Sequence, residues 1–206
     1  MVSYKLVYFN GRGAGEIIRQ IFSVAKVDFE DKRVNRDDWP ALKASMPFGQ
    51  MPVLEEDGKQ LAQSLAIARY LSRKFGLAGK NAWEEAQVDA LADQWKDFTT
   101  AIRPYVVVLL GFAQGDLEKL KEETFLPAVK QHFPFFVNAL KKSGRGYLVG
   151  DSLTYVDLIV AEFVAQIDGK APQAVDGFPE LREHYKKVHS NLELKKWRES
   201  RPETPF

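Results

Sequence analysis

The chain has 206 residues, of which 45% are hydrophobic, carries a net charge of +1 and contains no cysteine. That length admits one globule or two small packed domains. Basic residues interspersed with acidic ones leave no electrostatic footprint for nucleic acid, and the longest uncharged apolar run, Tyr105 to Leu110, is far too short for a membrane span. Without cysteine the chain can form no disulfide and no thiolate metal site, so any sulfur chemistry must use a thiol brought by a ligand. The opening Met1 to Lys5 lacks the apolar core of a signal peptide, which makes the cytoplasm the expected location.

Residues 3 to 9 are rich in strand formers, and Glu16 to Ala25 then places Ile17, Ile18, Ile21, Phe22 and Ala25 on one helical face. A second strand is expected over Asp28 to Val34, followed by a short helix starting near Asp37 or Asp38 and ending before Pro47. Pro52 to Glu55 and Gln60 to Ala62 flank an Asp57-Gly58 turn and read as a hairpin. Ser64 is expected to cap a helix over Leu65 to Phe75, stopped by Gly76. The order βα, βα, ββα describes a small four-stranded α/β domain over residues 1–78. Leu77 to Asn81 reads as a linker.

Beyond it the pattern is helical, so residues 82–206 are expected to form an all-α domain. Val88, Leu91, Trp95, Phe98 and Ile102 recur at helical spacing. A long helix is expected over Asp116 to Lys142, bent near Pro127 and Pro134 because proline removes a ladder donor. Shorter helices follow around residues 154–168, 178–190 and 192–199. Thr154 and Asp157, flanked by Leu153 and Leu158, form a capping arrangement that serves folding.

Two further patterns are set aside. Gly11-Arg12-Gly13-Ala14-Gly15-Glu16 follows a strand, but Glu16 replaces the last glycine of a dinucleotide fingerprint and would repel a pyrophosphate. His132, His184 and His189 lack metal-ligand spacing, so no metal is expected.

The strings Tyr4 to Gly13, Pro47 to Leu54 and Gln63 to Leu71, in this order and spacing, resemble a sigma-class glutathione transferase over the whole chain. The nearest likeness is to the nematode sigma-like branch, related to the glutathione-dependent prostaglandin D synthases. The resemblance implies a glutathione transferase fold: a thioredoxin-like glutathione-binding domain with a cis proline at Pro52, and an all-helical domain for the electrophile. It implies a homodimer that uses glutathione as co-substrate.

Alone, Tyr8 reads as a cross-strand aromatic. A thiol with pKa near 8.5 is only slightly ionised at neutral pH, however, and a phenol donating to sulfur favours the thiolate; the resemblance gives Tyr8 that catalytic role. Ser64 alone reads equally as a helix cap or as part of an anion site at a helix N-terminus; the resemblance assigns Gln63 and Ser64 to the γ-glutamyl carboxylate. Trp39 and Lys43, alone an exposed pair one helical turn apart, correspond to residues that grip the glycyl end, with Gly49, Gln50, Met51 and Pro52 completing that wall. Asp89, Asp93 and Asp97 form an acidic row whose repulsion suggests that at least one has another partner, and the resemblance has Asp97 reach the ligand of the other subunit. Phe9, Gly13, Ala14, Tyr105 and Phe206 are expected to line the electrophile pocket.

The pattern departs at Ala14, where sigma members often carry an arginine directed at the tyrosine hydroxyl. Arg12 is the candidate substitute, and Gly11 with Ala14 predicts a roomier pocket, which favours a broad transferase over a prostaglandin-H2 D-isomerase. The competing reading from another class is a non-catalytic carrier of haem or other hydrophobic ligands.

Overall fold

The computed structural model describes residues 2–204. The chain divides into two compact units, residues 1–78 with 189–206 and residues 79–188. The first is built on a four-stranded mixed sheet. Strands β1 (Tyr4–Phe9) and β2 (Glu30–Val34) pair in parallel across helix α1 (Glu16–Ala25). After the short helix α2 (Trp39–Leu42), β3 (Val53–Glu56) runs antiparallel to β1, and β4 (Lys59–Ala62) antiparallel to β3, giving the order β2-β1-β3-β4.

The hairpin closes in two residues, Asp57 (φ 47°) and Gly58 (φ 80°). Both lie in the left-handed region that matches the twist of paired strands. Asp57 also ties the hairpin to the start of β1, its carboxylate accepting from the Ser3 amide at 2.9 Å. Helix α3 (Ser64–Phe75) follows, stopped by Gly76 at φ 73°. Gln63, not Ser64, occupies its N-cap position, at φ 75°; Ser64 is the first helical residue and makes no capping bond. The local sequence signal for a serine cap was therefore one residue out of register with the actual turn.

Helix α1 buries more than a stripe. Ile17, Ile18, Ile21 and Phe22 are buried as the spacing predicts, and so are Glu16, Arg19 and Gln20. The reason is a second neighbour: α1 packs on α3 and also on the last helix, α10 (Leu192–Ser200). Trp197 donates its indole N–H to Glu16 at 2.8 Å, and Ser23 donates to the Glu193 carbonyl at 3.0 Å. Residues 189–206, placed by sequence with the helical domain, thus group with the α/β unit because α10 closes its open helical face.

The second unit is helical. Helix α4 (Ala82–Ala101) begins at Asn81, whose side chain accepts from the amides of Trp83 and Glu84. A separate α5 (Arg103–Leu109) follows it. The stretch expected as one long helix comprises α6 (Leu117–Leu120), a π-helical turn over Lys121–Phe125, and α7 (Leu126–Ser143). Pro127 supplies no N–H for the regular bond back to Glu123, and the wider turn lies where that donor is lost. Pro134 sits inside α7. Then come α8 (Tyr155–Lys170) and α9 (Pro179–His189). Trp95, Phe98, Phe133, Phe136 and Phe163 form the aromatic centre, with ring centroids 4.9 to 5.8 Å apart.

Thr154 and Asp157 make the expected capping box at the start of α8. Both oxygens of the fully buried Asp157 are engaged: one accepts from the Leu148 amide at 2.7 Å and lies 2.9 Å from His184 Nε2, the other accepts from the amide and hydroxyl of Thr154, each at 2.8 Å. Among the described residues no helix is long and apolar enough to cross a membrane.

Candidate active site

Tyr8 stands near the end of β1, where the chain leaves the sheet through a loop that leads into α1. That loop wraps its ring. A Cβ at Gly15 would lie 2.4 Å from Tyr8 Cδ1, and one at Gly13 2.6 Å from the hydroxyl oxygen. Gly13 in addition sits at φ 38°, so both glycines are required by closeness and one by conformation as well. Gly13 and Gly15 of this string therefore make room for a tyrosine.

The hydroxyl oxygen accepts the Ala14 amide at 3.1 Å. That bond fixes the oxygen while leaving its own hydrogen available to a further acceptor. Burial pushes the phenol above its ordinary value of 10.0, with the Ala14 amide and the Arg19 guanidinium pulling the other way. The side chain is thus protonated, and a donor, at neutral pH.

The remaining expected ligand residues in the α/β unit form contacts among themselves. The ring of Phe9 meets Tyr8 at 5.8 Å and Trp39, at the start of α2, at 5.6 Å, both edge-on. Lys43 lies in the turn after α2, and its side chain passes over Gly49, whose φ is 57°. The Met51–Pro52 bond is cis, as the resemblance implies. Met51 packs on Val7, Val34, Val53 and Ala62, with Leu42 and Met46 beside it. Gln63 donates through its side-chain amide to Gln50 at 3.3 Å, linking the segment before β3 to the start of α3. Ser64 opens α3, where amides without intrahelical partners are available.

In the helical unit, Asp89 accepts the Tyr155 hydroxyl at 2.6 Å, giving one member of the acidic row another partner, and Asp97 is exposed on α4. Tyr105 is half-buried and stacks on Phe125 of the π-helical turn at 4.8 Å. Phe206 lies outside the described residues.

Sequence reasoning missed Arg19 and Gly15. Arg19 is fully buried, with its guanidinium carbon 5.8 Å from the Tyr8 ring centre. It falls on the apolar face of a helix beside a carboxylate three residues earlier, but its two strongest partners, Asp31 and the Gly11 carbonyl, come from elsewhere in the fold. The signal for Gly15 was present, as an otherwise unused glycine one residue before a helix.

A four-stranded mixed sheet with a cis proline before β3, a loop-wrapped tyrosine near the end of β1 and a helical second unit define the class of thioredoxin-like domains fused to an all-α domain. Residues 4–73 match the family described as glutathione S-transferase, N-terminal domain, and residues 100–201 the glutathione S-transferase, C-terminal domain. The chain belongs to the glutathione S-transferase family and is a transferase. It is 57% identical to probable glutathione S-transferase 7 of Caenorhabditis elegans over the full length of both. Two solved structures share the architecture: NaGST-2, at 59% identity, full coverage of both chains and a TM-score of 0.98, and monomeric Na-GST-3 of the hookworm Necator americanus, at 58% identity, 99% and 100% coverage and 0.97.

Proposed function

We propose that the enzyme activates bound glutathione through Tyr8 and joins it, through its sulfur, to hydrophobic electrophiles. The observation that carries this reading is the Tyr8 hydroxyl, whose oxygen is already satisfied by the Ala14 amide while its hydrogen is unspent. A thiolate placed against it gains a charge-assisted hydrogen bond, and its proton leaves to solvent. The sulfur then forms the new bond to an electrophilic carbon as the leaving group departs, with no covalent enzyme intermediate. Trp39 and Lys43 suit the glycyl carboxylate, and Gly49 to Pro52 the backbone of the tripeptide. Gln63 and the amides opening α3 at Ser64 suit the γ-glutamyl carboxylate. The three motifs carried by Tyr8, Pro52 and Ser64 favour a sigma-like class within the family.

Tyr8→Phe tests the reading. Conjugation of an aryl halide falls by about one to two orders of magnitude, with retention on glutathione-agarose preserved. Unchanged conjugation overturns the Tyr8 assignment and requires another donor to the sulfur.

The active form is proposed to be a homodimer, with Asp97 of each copy serving the ligand of the other. Phe48 supports this: it is 78% exposed and held at φ 56°, a backbone conformation that a bulky residue rarely adopts. Sedimentation of Phe48→Ser is expected to show dissociation into monomers; a native chain that sediments as a monomer rejects the dimer.

A further inference from the structure

We propose that Arg19 is a positioning residue for Tyr8, one that locks the strand end carrying the ring and supplies from the interior the cation that Ala14 does not provide. The proposal rests on the reading of Tyr8 given above.

Arg19 is the largest fully buried side chain among the described residues. A buried guanidinium is costly unless every donor is used. Here Nε donates to Asp31 at 3.0 Å, one terminal nitrogen to the Gly11 carbonyl at 2.6 Å, and the other toward the Phe9 carbonyl at 3.4 Å. Those two carbonyls flank Asn10, at the point where β1 turns into the loop that presents the Ala14 amide. One planar fork thereby clamps both ends of the bend that determines where the Tyr8 hydroxyl lies. An ammonium could carry the charge but could not span the two carbonyls and the carboxylate together.

The same group lies against the Tyr8 ring, 5.8 Å from its centre. Its charge is tempered by two carboxylates, each itself partnered. Asp31, on β2, also accepts from Arg33 at 2.8 Å, and Arg33 donates in turn to Asn10. Glu16, on α1, lies 3.6 Å from Arg19 and accepts from Trp197 and Arg201 of the C-terminal segment. Arg12 is a cation of the loop itself. This order of charges gives the two sides of Arg19 opposite effects on a thiolate held by Tyr8. Removing the guanidinium disfavours the thiolate; removing the Asp31 carboxylate leaves more net positive charge and favours it.

The test is the pH midpoint of thiolate absorbance with glutathione bound, in Arg19→Met, Arg19→Lys and Asp31→Asn, with Tyr8→Phe alongside. Arg19→Met is expected to raise the midpoint by about 0.5 pH unit or more, Arg19→Lys by less, and Asp31→Asn to lower it. A role confined to stability predicts no such opposition of sign. If Arg19→Met does not fold, the other two variants decide. Midpoints equal to wild type in Arg19→Lys and Asp31→Asn overturn the inference. Should Tyr8→Phe move the midpoint while those two do not, only the role of Arg19 fails; should Tyr8→Phe leave it in place, the reading of Tyr8 fails first.

Discussion

Two polar centres of this chain invite comparison, the one around the half-buried Tyr8 in the α/β unit and the one around the fully buried Asp157 in the helical unit. Asp157 has four partners at 2.9 Å or less, covering both oxygens. Among the described residues Tyr8 has one polar partner on its oxygen, the Ala14 amide, and a hydrogen left to give. Saturation makes a folding element, since nothing more can be bound and everything is lost if the centre is broken. Incompleteness makes a site, provided the surroundings hold the unsatisfied group still, and here two glycines and a buried arginine do so.

The comparison is sharpened most by removing the saturated centre. Asp157→Ala strands the Leu148 amide, the Thr154 amide and hydroxyl and His184 in a fully buried location. It is expected to cost about 3–4 kcal/mol of stability, read as a fall in the denaturant midpoint. Activity per folded molecule should change little, because none of those partners is among the candidate site residues named above. Lost activity in fully folded protein would mean that the two centres are not separable in this way.

The next largest effect is expected at Gly15. Its φ of −82° is open to any residue, so alanine there is opposed by contact alone, at 2.4 Å from Tyr8 Cδ1 and 2.7 Å from Cγ. Those ring atoms lie close to the backbone and cannot swing away as a side-chain tip could. Gly15→Ala is therefore expected to displace the ring and lower kcat/KM by about ten-fold or more, with a stability loss of about 1–3 kcal/mol. Ala14→Gly keeps the amide that serves Tyr8 and should leave the rate within a few-fold. If Gly15→Ala conjugates as well as wild type, the loop does not position the ring.

The two centres also differ in how far the sequence reveals them. The capping box around Asp157 is local: Thr154, Asp157 and the flanking leucines lie within six residues, and only His184 and Leu148 come from outside. It could be read directly. The hairpin at Asp57-Gly58 and the stop at Gly76 were legible for the same reason, each being a backbone conformation that one residue type satisfies best. Tyr8, by contrast, carries no local mark of its role. Its hydroxyl meets Ala14 only because the loop curls back, and a family likeness was needed to single it out. Arg19 escaped notice altogether, since its partners Asp31 and Gly11 meet it only once β2 has paired with β1. The packing of α10 was hidden similarly: its pattern is plainly helical, but that it lies on α1 depends on Glu16 receiving Trp197, 181 residues along the chain.

The smallest expected effect concerns a third arrangement, intermediate between the two. At the end of α8, Asp168 accepts from Arg182 Nε at 2.9 Å and from the Tyr185 hydroxyl at 2.7 Å. The centre is nearly as well partnered as Asp157 but lies close to solvent, where each bond is worth less. The hydrogen bonds from Arg182 and then Tyr185 hold its carboxyl below the ordinary 3.8. A carboxyl depressed on folding contributes stability that is present above 3.8 and is lost as the pH falls through its lower folded value. Asp168→Asn should thus lower Tm by a few degrees at neutral pH, and the gap to wild type should close in acid, once the pH is below the depressed folded value and both chains carry a neutral side chain. A gap that persists unchanged into acid would show that the contribution is one of shape and neutral hydrogen bonding, and would move Asp168 from the graded middle of this series to the Asp157 kind, in which the loss of partners and not of charge is what the fold registers.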